Sequence, residues 1–292
     1  MTLTRRQVQE MIAAQDLRPS RALGQNFVAD QNTVRRIARL ADFEPGQLVV
    51  EIGAGLGALT LALAEAGAKV TAVEIDRHLI PILRAQVEGL DVRVVEDDAL
   101  TLDWPALLDD HDNDGATGVA VPASTSPWVL VANLPYNVAV PVIVRVLEEA
   151  PAVASMLVMV QREVGERLAA VPGTKAYGAV SVKVAYYATA RLVGRVPPAV
   201  FVPRPRVESV LVRIVRRDAV AVDPAVAGPD RLFTVVRAGF AQRRKMLRRA
   251  LVDVVDPATF AAAAINPEAR AEELSIEDWG RLVACEDSPP QL

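Results

Sequence analysis

The chain has 292 residues, of which 51% are hydrophobic and 23% are charged, as is typical of a packed globular protein. A single cysteine, Cys285, cannot form an internal disulfide, and with only two histidines we expect no zinc cluster and no other metal. No apolar run approaches the roughly 18 residues that span a bilayer, and the first residues lack the apolar core of a signal peptide. We therefore expect a cytoplasmic protein.

The formal net charge of −4 argues against an anionic partner, but the charge is unevenly distributed. Residues 191–250 contain fourteen Arg and Lys against four Asp and Glu, and residues 1–40 contain seven Arg against three acidic residues. A phosphate backbone responds to a local basic surface rather than to the molecular average. The distribution is compatible with a nucleic-acid partner, although isolated arginines are more simply explained as solvated surface.

In chain order, short apolar runs alternate with stretches of helical pattern. The runs that predict strands are residues 48–52, 70–74, 92–95, 128–132 and 155–160, and the helical patterns between them include 58–66, 78–87 and 141–149. Buried strands that alternate with helices predict a parallel sheet covered on both faces, so the predicted fold class is α/β. Residues 109–127 are first acidic and then rich in small residues and proline, which predicts a mobile surface loop.

The last third of the chain changes character. Residues 180–187 are compatible with helix or strand, while 190–196 and 209–215 predict an antiparallel hairpin at one edge of the sheet. Strand patterns cease near residue 218, where Pro224 and Gly228-Pro229 mark a shift of composition. We therefore predict a larger domain with an N-terminal arm over 1–217, a helical domain over 218–285 and a frayed tail over 286–292.

A predicted strand, the sequence Gly53-Ala54-Gly55-Leu56-Gly57 and a predicted helix follow one another, as in a nucleotide-binding turn. The spacing differs from the G-x-G-x-x-G of the dinucleotide fingerprint and is a weak signal by itself. Glu74 ends the next strand, where a carboxylate can accept hydrogen bonds from both ribose hydroxyls. Asp98 is a candidate acceptor for an adenine amino group, with Asp97 as a competing candidate. Together these residues predict an adenosine-containing cofactor of undetermined identity.

The tetrapeptide Asn133-Leu134-Pro135-Tyr136 follows the fourth predicted strand, at the carboxyl edge where such sheets bind ligands. The exocyclic amino group of a base is a poor nucleophile because its lone pair is delocalised into the ring. The Asn133 side-chain carbonyl and the Leu134 backbone carbonyl can hold the two amino hydrogens, which aligns the lone pair with a methyl donor and stabilises positive charge developing on nitrogen. Pro135 fixes the turn and Tyr136 can stack on the base. The tetrapeptide therefore predicts methylation of a base amino group.

Six blocks, in order from about residue 20 to 285, resemble the KsgA/RsmA family of bacterial small-subunit rRNA adenine dimethyltransferases. They are LGQNF at 23–27, EIGAGLGALT at 51–60, VEID at 73–76, NLPYN at 133–137, FVPRPRVES at 201–209 and FAQRRKML at 240–247. The resemblance implies a Rossmann-like class I S-adenosylmethionine-dependent methyltransferase sheet with a smaller all-helical C-terminal domain. It also implies a monomer that, during small-subunit biogenesis, dimethylates N6 of two adjacent adenines in the 3′-terminal hairpin loop of 16S rRNA.

The resemblance also implies roles for individual residues. Those implied to contact S-adenosylmethionine are Asn26, Val28, Gly53, Gly55, Glu74, Asp98 and Asn133. Gly53 would lie at the methionine end, Glu74 would bind the ribose, and Asp98 would face the adenine ring. Phe201 is predicted to form an aromatic clamp with Tyr136, because a base removed from its stack must be held by other groups.

A cluster of basic residues near residue 245 is predicted to lie within one helix, in which Arg244 and Arg248 share a face, as do Lys245 and Arg249. Like charges four residues apart repel, so we interpret the cluster as a phosphate-binding surface rather than a solvated face. The residues predicted to contact RNA are Arg204, Arg206, Arg243, Arg244, Lys245, Arg248 and Arg249.

Three alternatives remain at this point. A nicotinamide-dependent oxidoreductase would share the sheet and the acidic strand end, but the glycine spacing and the Asn-Leu-Pro-Tyr turn argue against it. A non-catalytic ribosome-assembly factor is the second, because an intact tetrapeptide does not show whether methylation or assembly surveillance matters to the cell. The third alternative is a relative that methylates large-subunit rRNA and confers macrolide resistance. Three features favour the small-subunit enzyme over it, namely segments 55–60 and 133–137 and the long C-terminal segment.

Overall fold

The computed structural model describes residues 2–14, 24–109 and 127–286. The predicted loop at 109–127, apart from its two end residues, and the predicted tail, apart from Glu286, lie outside these described residues. Within the described ranges, no helix is both long and apolar enough to cross a lipid bilayer.

The chain forms two compact units, each built from two segments. The first unit consists of Met1–Gly165 and Arg191–Arg216, and the second of Glu166–Ala190 and Arg217–Leu292. The chain passes from the first unit to the second for the last time between Arg216 and Arg217. The grouping of Glu166–Ala190 with the C-terminal helices differs from the predicted division, in which 1–217 is continuous.

The strands form a sheet of seven and a separate pair. Among the described residues, the strands in chain order are β1 (Phe27–Val28), β2 (Leu48–Ile52), β3 (Lys69–Glu74), β4 (Val92–Glu96), β5 (Trp128–Asn133), β6 (Val153–Gln161), β7 (Ala188–Val196), β8 (Phe201–Val202) and β9 (Ser209–Arg216). The large sheet has the order β4-β3-β2-β5-β6-β9-β7, and β1 pairs antiparallel with β8. The five strands from β4 to β6 run parallel and β9 is antiparallel to β6. The predicted α/β class is therefore confirmed.

Helices separate the strands and make up most of the second unit. In chain order they are α1 (Arg5–Ala14), α2 (Gln31–Ala41), α3 (Ala58–Glu65), α4 (Ile80–Gln86), α5 (Trp104–Asp109), α6 (Ala139–Glu149), α7 (Arg162–Leu168), α8 (Ala179–Tyr187), α9 (Pro229–Ala241), α10 (Leu247–Ala250), α11 (Pro257–Ala262) and α12 (Ile276–Ala284). The ambiguous stretch 180–187 is thus helical, and α7 contains the first crossing between the units.

The central strands explain the sequence pattern of the first unit. Every residue of β2 is buried, because parallel strands with helices on both faces expose neither side to water. Helix α2 starts where the Asp30 carboxylate accepts a hydrogen bond from the Thr33 backbone N–H at 2.7 Å, which satisfies one of the free donors of the first turn. The resulting layers fix the carboxyl ends of β2, β3 and β5 side by side.

The second unit has its own apolar core. Its segment 166–190 contributes Tyr177, which is 1% exposed and donates a hydrogen bond to the Leu274 carbonyl oxygen at 3.0 Å. Trp279 of α12 is fully buried against Gly239 of α9, where an added Cβ would lie 2.6 Å from the indole ring. The glycine is therefore required by the close approach of α9 and α12.

Candidate active site

The turn between β2 and α3 is built on glycines with left-handed backbone. Gly53, Gly55 and Gly57 have φ angles of 73°, 60° and 84°, a region that residues with a Cβ rarely adopt. A Cβ on Gly55 would also lie 3.1 Å from the Phe27 ring. The turn therefore presents main-chain atoms without side chains at the carboxyl edge of the sheet, where a ligand can approach them closely.

Glu74, at the end of β3, holds this turn in place. Its side chain is almost fully buried, and its two oxygens accept hydrogen bonds from the backbone N–H groups of Gly55 at 2.7 Å and Asp76 at 2.9 Å. Burial raises the pKa of Glu74, and these two hydrogen bonds oppose the rise. A carboxylate has about four acceptor positions, so Glu74 can accept a further hydrogen bond from a ligand beside those from the backbone.

Asn133 ends β5 with its side-chain amide in a defined orientation. Its Nδ2 donates to the Asn26 backbone carbonyl oxygen at 3.0 Å, which leaves Oδ1 as the acceptor on the other side of the amide. Among the described residues, none donates a hydrogen bond to Asn133 Oδ1 or to the Leu134 carbonyl oxygen. Leu134 itself is anchored because its N–H donates to the Met159 carbonyl oxygen at 3.1 Å. Two acceptors of the tetrapeptide are thus uncommitted.

The second half of the tetrapeptide is positioned by neighbours in the first unit. The Tyr136 hydroxyl forms a hydrogen bond with Ser209 Oγ at 2.9 Å, and partial burial raises the pKa of that phenol. Pro135 packs against Gly24, where an added Cβ would be 3.0 Å from the proline Cβ. The half-buried Tyr136 ring is therefore held at its hydroxyl end.

The segment that precedes α2 covers the same edge of the sheet. Gln25 Nε2 donates to Asp76 Oδ2 at 2.7 Å, which ties this segment to the end of β3. Asn26 Nδ2 donates to the Gly24 carbonyl oxygen at 3.1 Å, and Val28 is buried in β1 opposite Phe201 of β8. The β1–β8 pair is not evident from the sequence, because its strands are two residues long and 172 residues lie between them.

One cleft in the first unit gathers most of the residues that are predicted to bind the cofactor or to act in catalysis. Those that line it are Asn26, Val28, Gly53, Gly55, Glu74, Asn133, Leu134, Pro135 and Tyr136. Further lining comes from α1, through Val8, and from the first turn of α3, through Ala58 and Leu59. The site that the sequence motifs predict separately is thus one continuous surface.

Asp98 and Phe201 do not line this cleft. The Asp98 carboxylate accepts a hydrogen bond from the Leu100 N–H at 2.9 Å, and its own N–H donates to Asp97 Oδ1 at 2.7 Å. Phe201 is 1% exposed and belongs to the core of the first unit, so stacking on a base would require its ring to be uncovered. Their roles at adenine and in the clamp stay predictions.

Glu51 is a cleft residue that the sequence reasoning missed as a site residue. It lies in β2, lines the cleft, and is 1% exposed. A glutamate in the middle of a strand of otherwise apolar residues, Leu48-Val49-Val50-Glu51-Ile52, is the signal that could have identified it. Buried carboxyls without a basic partner are uncommon and often belong to binding sites.

The prediction that the basic residues near 245 lie within one continuous helix is wrong. Helix α9 ends at Ala241, residues 242–245 form turns and a bend, and α10 starts at Leu247. The physical reason is backbone pairing: Met246 bridges to Arg270, and the Leu247 N–H donates to the Ala269 carbonyl oxygen at 2.8 Å. Tertiary hydrogen bonds thus override a stretch of good helix formers.

Two of the five basic residues are engaged within the second unit. Arg243 forms an ion pair with Glu272 at 2.5 Å and Arg248 forms one with Glu268 at 3.1 Å. The other three are exposed and have no acidic partner among the described residues; we call them the open basic patch, and they are Arg244, Lys245 and Arg249. In the first unit, Arg204 and Arg206 are exposed as well.

Known proteins with similar sequences agree with the family resemblance of the sequence motifs. The family profile described as "Ribosomal RNA adenine dimethylase" matches residues 17–286. A relative from Kineococcus radiotolerans, named "Ribosomal RNA small subunit methyltransferase A", is 45% identical, with 97% of this chain and 91% of that protein covered. A relative of the same name from Cutibacterium acnes is 47% identical over 91% of this chain and 88% of that protein.

Solved structures show the same fold. The 23S rRNA methyltransferase ErmE aligns with a TM-score of 0.65 and 25% identity, covering 90% of this chain and all of that one. A dimethyladenosine transferase from Plasmodium falciparum aligns with a TM-score of 0.69 and 22% identity, covering 88% of this chain and 95% of that one. The predicted methyltransferase-type sheet is therefore confirmed.

Proposed function

Because the chain belongs to the ribosomal RNA adenine dimethylase family, we propose that its cleft binds S-adenosylmethionine beside an adenine of small-subunit rRNA. The enzyme is an S-adenosylmethionine-dependent rRNA adenine dimethyltransferase, as its small-subunit relatives are named. The proposal assigns the two adjacent adenines of the 3′-terminal hairpin loop of 16S rRNA as the target and the residues of the cleft as the machinery.

The orientation of Asn133 carries the proposal. Its Nδ2 is held by the Asn26 carbonyl oxygen, so Oδ1 and the Leu134 carbonyl oxygen are the acceptors that remain for a ligand. An adenine N6 amino group has two hydrogens and matches two acceptors. Hydrogen bonds to both acceptors turn the nitrogen lone pair out of conjugation and stabilise the positive charge that grows on nitrogen during transfer.

The residues of the cleft fit the cofactor. The left-handed glycines bring bare backbone against a ligand, and Glu74 retains lone pairs for ribose hydroxyls. When bound, S-adenosylmethionine supplies an electrophilic methyl group on a sulfonium. We assign Asn26, Val28, Gly53 and Gly55, which line the cleft, to the cofactor wall. Asp98 lies outside that lining, and its assignment to the adenine end follows from the family resemblance alone.

Two methyl transfers at one nitrogen require the site to release a proton each time. The nitrogen that has accepted a methyl group is strongly acidic, so its proton passes to solvent without a strong general base. After the first transfer one hydrogen remains on N6, and a single acceptor of the Asn133–Leu134 pair then suffices to align the lone pair. Tyr136 is assigned to the face of the target base, with its hydroxyl fixed by Ser209.

The RNA surface is assigned to exposed cations. The open basic patch has no competing acidic partner among the described residues, so phosphate contact would displace only water and counterions. Arg204 and Arg206 are assigned the same role in the first unit. Phosphate contacts position the RNA, whereas selection of the adenines depends on RNA shape and unstacked loop bases. We propose that the protein acts as a monomer in the cytoplasm, where its rRNA substrate is assembled.

The test is methyl transfer from labelled S-adenosylmethionine to small ribosomal subunits that lack the hairpin methylations, with large subunits as the control. Incorporation approaching four methyl groups per small subunit supports dimethylation of two adenines. Labelling of the large subunit alone would assign the chain to the activity named for ErmE. Tight subunit binding without labelling would instead indicate a non-catalytic assembly factor.

A further inference from the structure

A second recess in the first unit has no part in the mechanism above. It forms where β6 passes into α7 and where β9 begins, and its volume of about 420 Å³ lies within the range of small-molecule sites. It shares no lining residue with the cofactor cleft. We call it the Gln161 recess, and the residues that line it are Gln161, Arg162, Glu163, Arg206, Val207 and Glu208.

The Gln161 recess adjoins the methylation tetrapeptide through Ser209. Gln161 and Ser209 are opposite each other in the antiparallel β6–β9 pair, so their side chains lie close together on the same face of the sheet. The Ser209 hydroxyl in turn forms the 2.9 Å hydrogen bond with the Tyr136 hydroxyl. The recess is therefore one side chain away from the ring that is assigned to the target base.

The walls of the recess are held by backbone pairing and by helix packing. The Arg162 N–H donates to the Glu208 carbonyl oxygen at 3.0 Å, which extends the β6–β9 ladder, and the side chains of these two residues form an ion pair at 3.1 Å. Gly165 of α7 lies so close to β9 that an added Cβ would be 2.3 Å from the Val210 side chain. The shape of the recess is therefore fixed by regular structure.

The lining groups match a nucleotide better than a simple anion. Two arginines and two glutamates balance in charge, so a bare phosphate gains little net attraction. Val207 is apolar yet 43% exposed, and it offers a surface for the face of a base. Arg206 is exposed and has no acidic partner among the described residues, so it can contact the phosphate of the same nucleotide.

The side-chain amide of Gln161 is the most selective of these groups. It is half-buried, and neither its Oε1 nor its Nε2 has a hydrogen-bond partner among the described residues. An amide presents an acceptor beside donors, and the edge of adenine presents the N6 donor beside the N7 acceptor, so the two form a bidentate pair. Guanine presents two acceptors at the corresponding positions. The amide therefore favours adenine over guanine.

We propose that the Gln161 recess binds the adenine next to the one being methylated, with the Gln161 amide on its N6–N7 edge, Val207 on its face and Arg206 on its phosphate. The inference rests on the proposed function, in which the two target adenines are adjacent. Gln161 is then a specificity-determining residue. It selects a target adenine by the identity of its neighbour and takes no part in methyl transfer itself.

The position of the recess makes the two rounds of methylation unequal. The recess lies on one side of Tyr136, whereas the partner adenine lies 5′ of the target in one round and 3′ of it in the other, so the recess holds the partner in one round only. Dimethylation removes both hydrogens from N6 of the partner and with them its bond to Gln161 Oε1. The adenine that uses the recess is therefore methylated faster while its partner is unmodified.

The experiment uses the full-length enzyme and small subunits assembled on 16S rRNA in which one or the other adenine of the target pair is replaced by guanine. The kcat/KM for each remaining adenine is compared with that for the same adenine in the native pair, with mass spectrometry of nuclease fragments to resolve the two positions. One replacement should slow methylation of its neighbour by between about fivefold and about a hundredfold, the range for one bidentate base contact. The other replacement should not.

The matched variants are Gln161→Met, which keeps the side-chain length and removes both hydrogen-bonding groups, and Asn32→Ala, which alters an exposed amide of α2 outside the recess. Gln161→Met should methylate the recess-dependent adenine of the native pair as slowly as wild type methylates it beside guanine, with no further loss beside guanine. A purely structural role would slow both adenines and leave the guanine effect in place. Asn32→Ala should behave as wild type.

Two results would overturn the inference and leave the proposed function intact. One is equal wild-type rates beside adenine and beside guanine, which needs no variant. The other is a guanine effect of the same size in wild type and in Gln161→Met, or in Gln161→Ala if thermal melting shows that the Met variant does not fold. A lack of methylation of native small subunits would refute the proposed function and this inference with it.

Discussion

Replacing Asn133 by Ala should separate chemistry from binding. The substitution removes Oδ1, one of the two uncommitted acceptors of the tetrapeptide, and leaves the Leu134 carbonyl oxygen in place. Loss of one group that stabilises a developing charge typically reduces turnover by about 10²–10³, or about 3–4 kcal/mol of barrier. We therefore expect single-turnover methyl transfer at saturating cofactor to fall by about that factor.

The same substitution also breaks the Asn133–Asn26 hydrogen bond of 3.0 Å, which anchors the segment over the cofactor cleft. A hydrogen bond of this kind contributes about 1 kcal/mol, so cofactor affinity should fall about fivefold, far less than turnover. Filter binding should show that affinity for small subunits is unchanged. Asn32→Ala, at an exposed position of α2, serves as the control. A rate for Asn133→Ala within threefold of wild type, with normal folding, would refute the two-acceptor mechanism.

Three other predictions concern the turn, the RNA surface and the second core. Gly55→Ala should weaken cofactor binding at least tenfold by calorimetry, since φ is 60° and the new Cβ meets a ring at 3.1 Å; unchanged affinity would contradict the tight turn. Replacement of all three residues of the open basic patch by alanine should reduce the magnitude of the slope of log RNA affinity against log salt concentration by up to about three. An unchanged slope would show that the patch does not contact phosphate. Gly239→Ala should lower the melting temperature of the second unit, because its Cβ would lie 2.6 Å from Trp279; an unchanged melting temperature would contradict this packing.

The site was predictable from the sequence where local chemistry determines it. A glycine-rich turn after a buried strand, an acidic strand end and an Asn-Leu-Pro-Tyr turn each carry their own signal, and the parallel sheet places them together. Glu51 was overlooked because a single polar residue in a strand resembles an ordinary alternation. Its meaning depends on burial, which sequence does not report.

The errors arose where distant backbone segments pair. The stretch 242–246 contains no glycine or proline, so the helical periodicity of its surroundings predicts a continuous helix. The bridge from Met246 to Arg270 breaks it through contacts 24 residues away. The burial of Phe201 likewise follows from the pairing of β8 with β1, which no local pattern indicates.

The division of the second unit into two chain segments affects how such proteins can be recombined. Its first segment, Glu166–Ala190, supplies Tyr177 and a hydrogen bond from the Gly173 N–H to the Glu272 carbonyl oxygen at 2.7 Å. A chimera that exchanges only the residues after 217 with a relative would pack the helices of one protein against core residues such as Tyr177 of the other. Grafting of RNA specificity between family members should therefore require both segments to be transferred together, around Arg191–Arg216, which stays with the recipient.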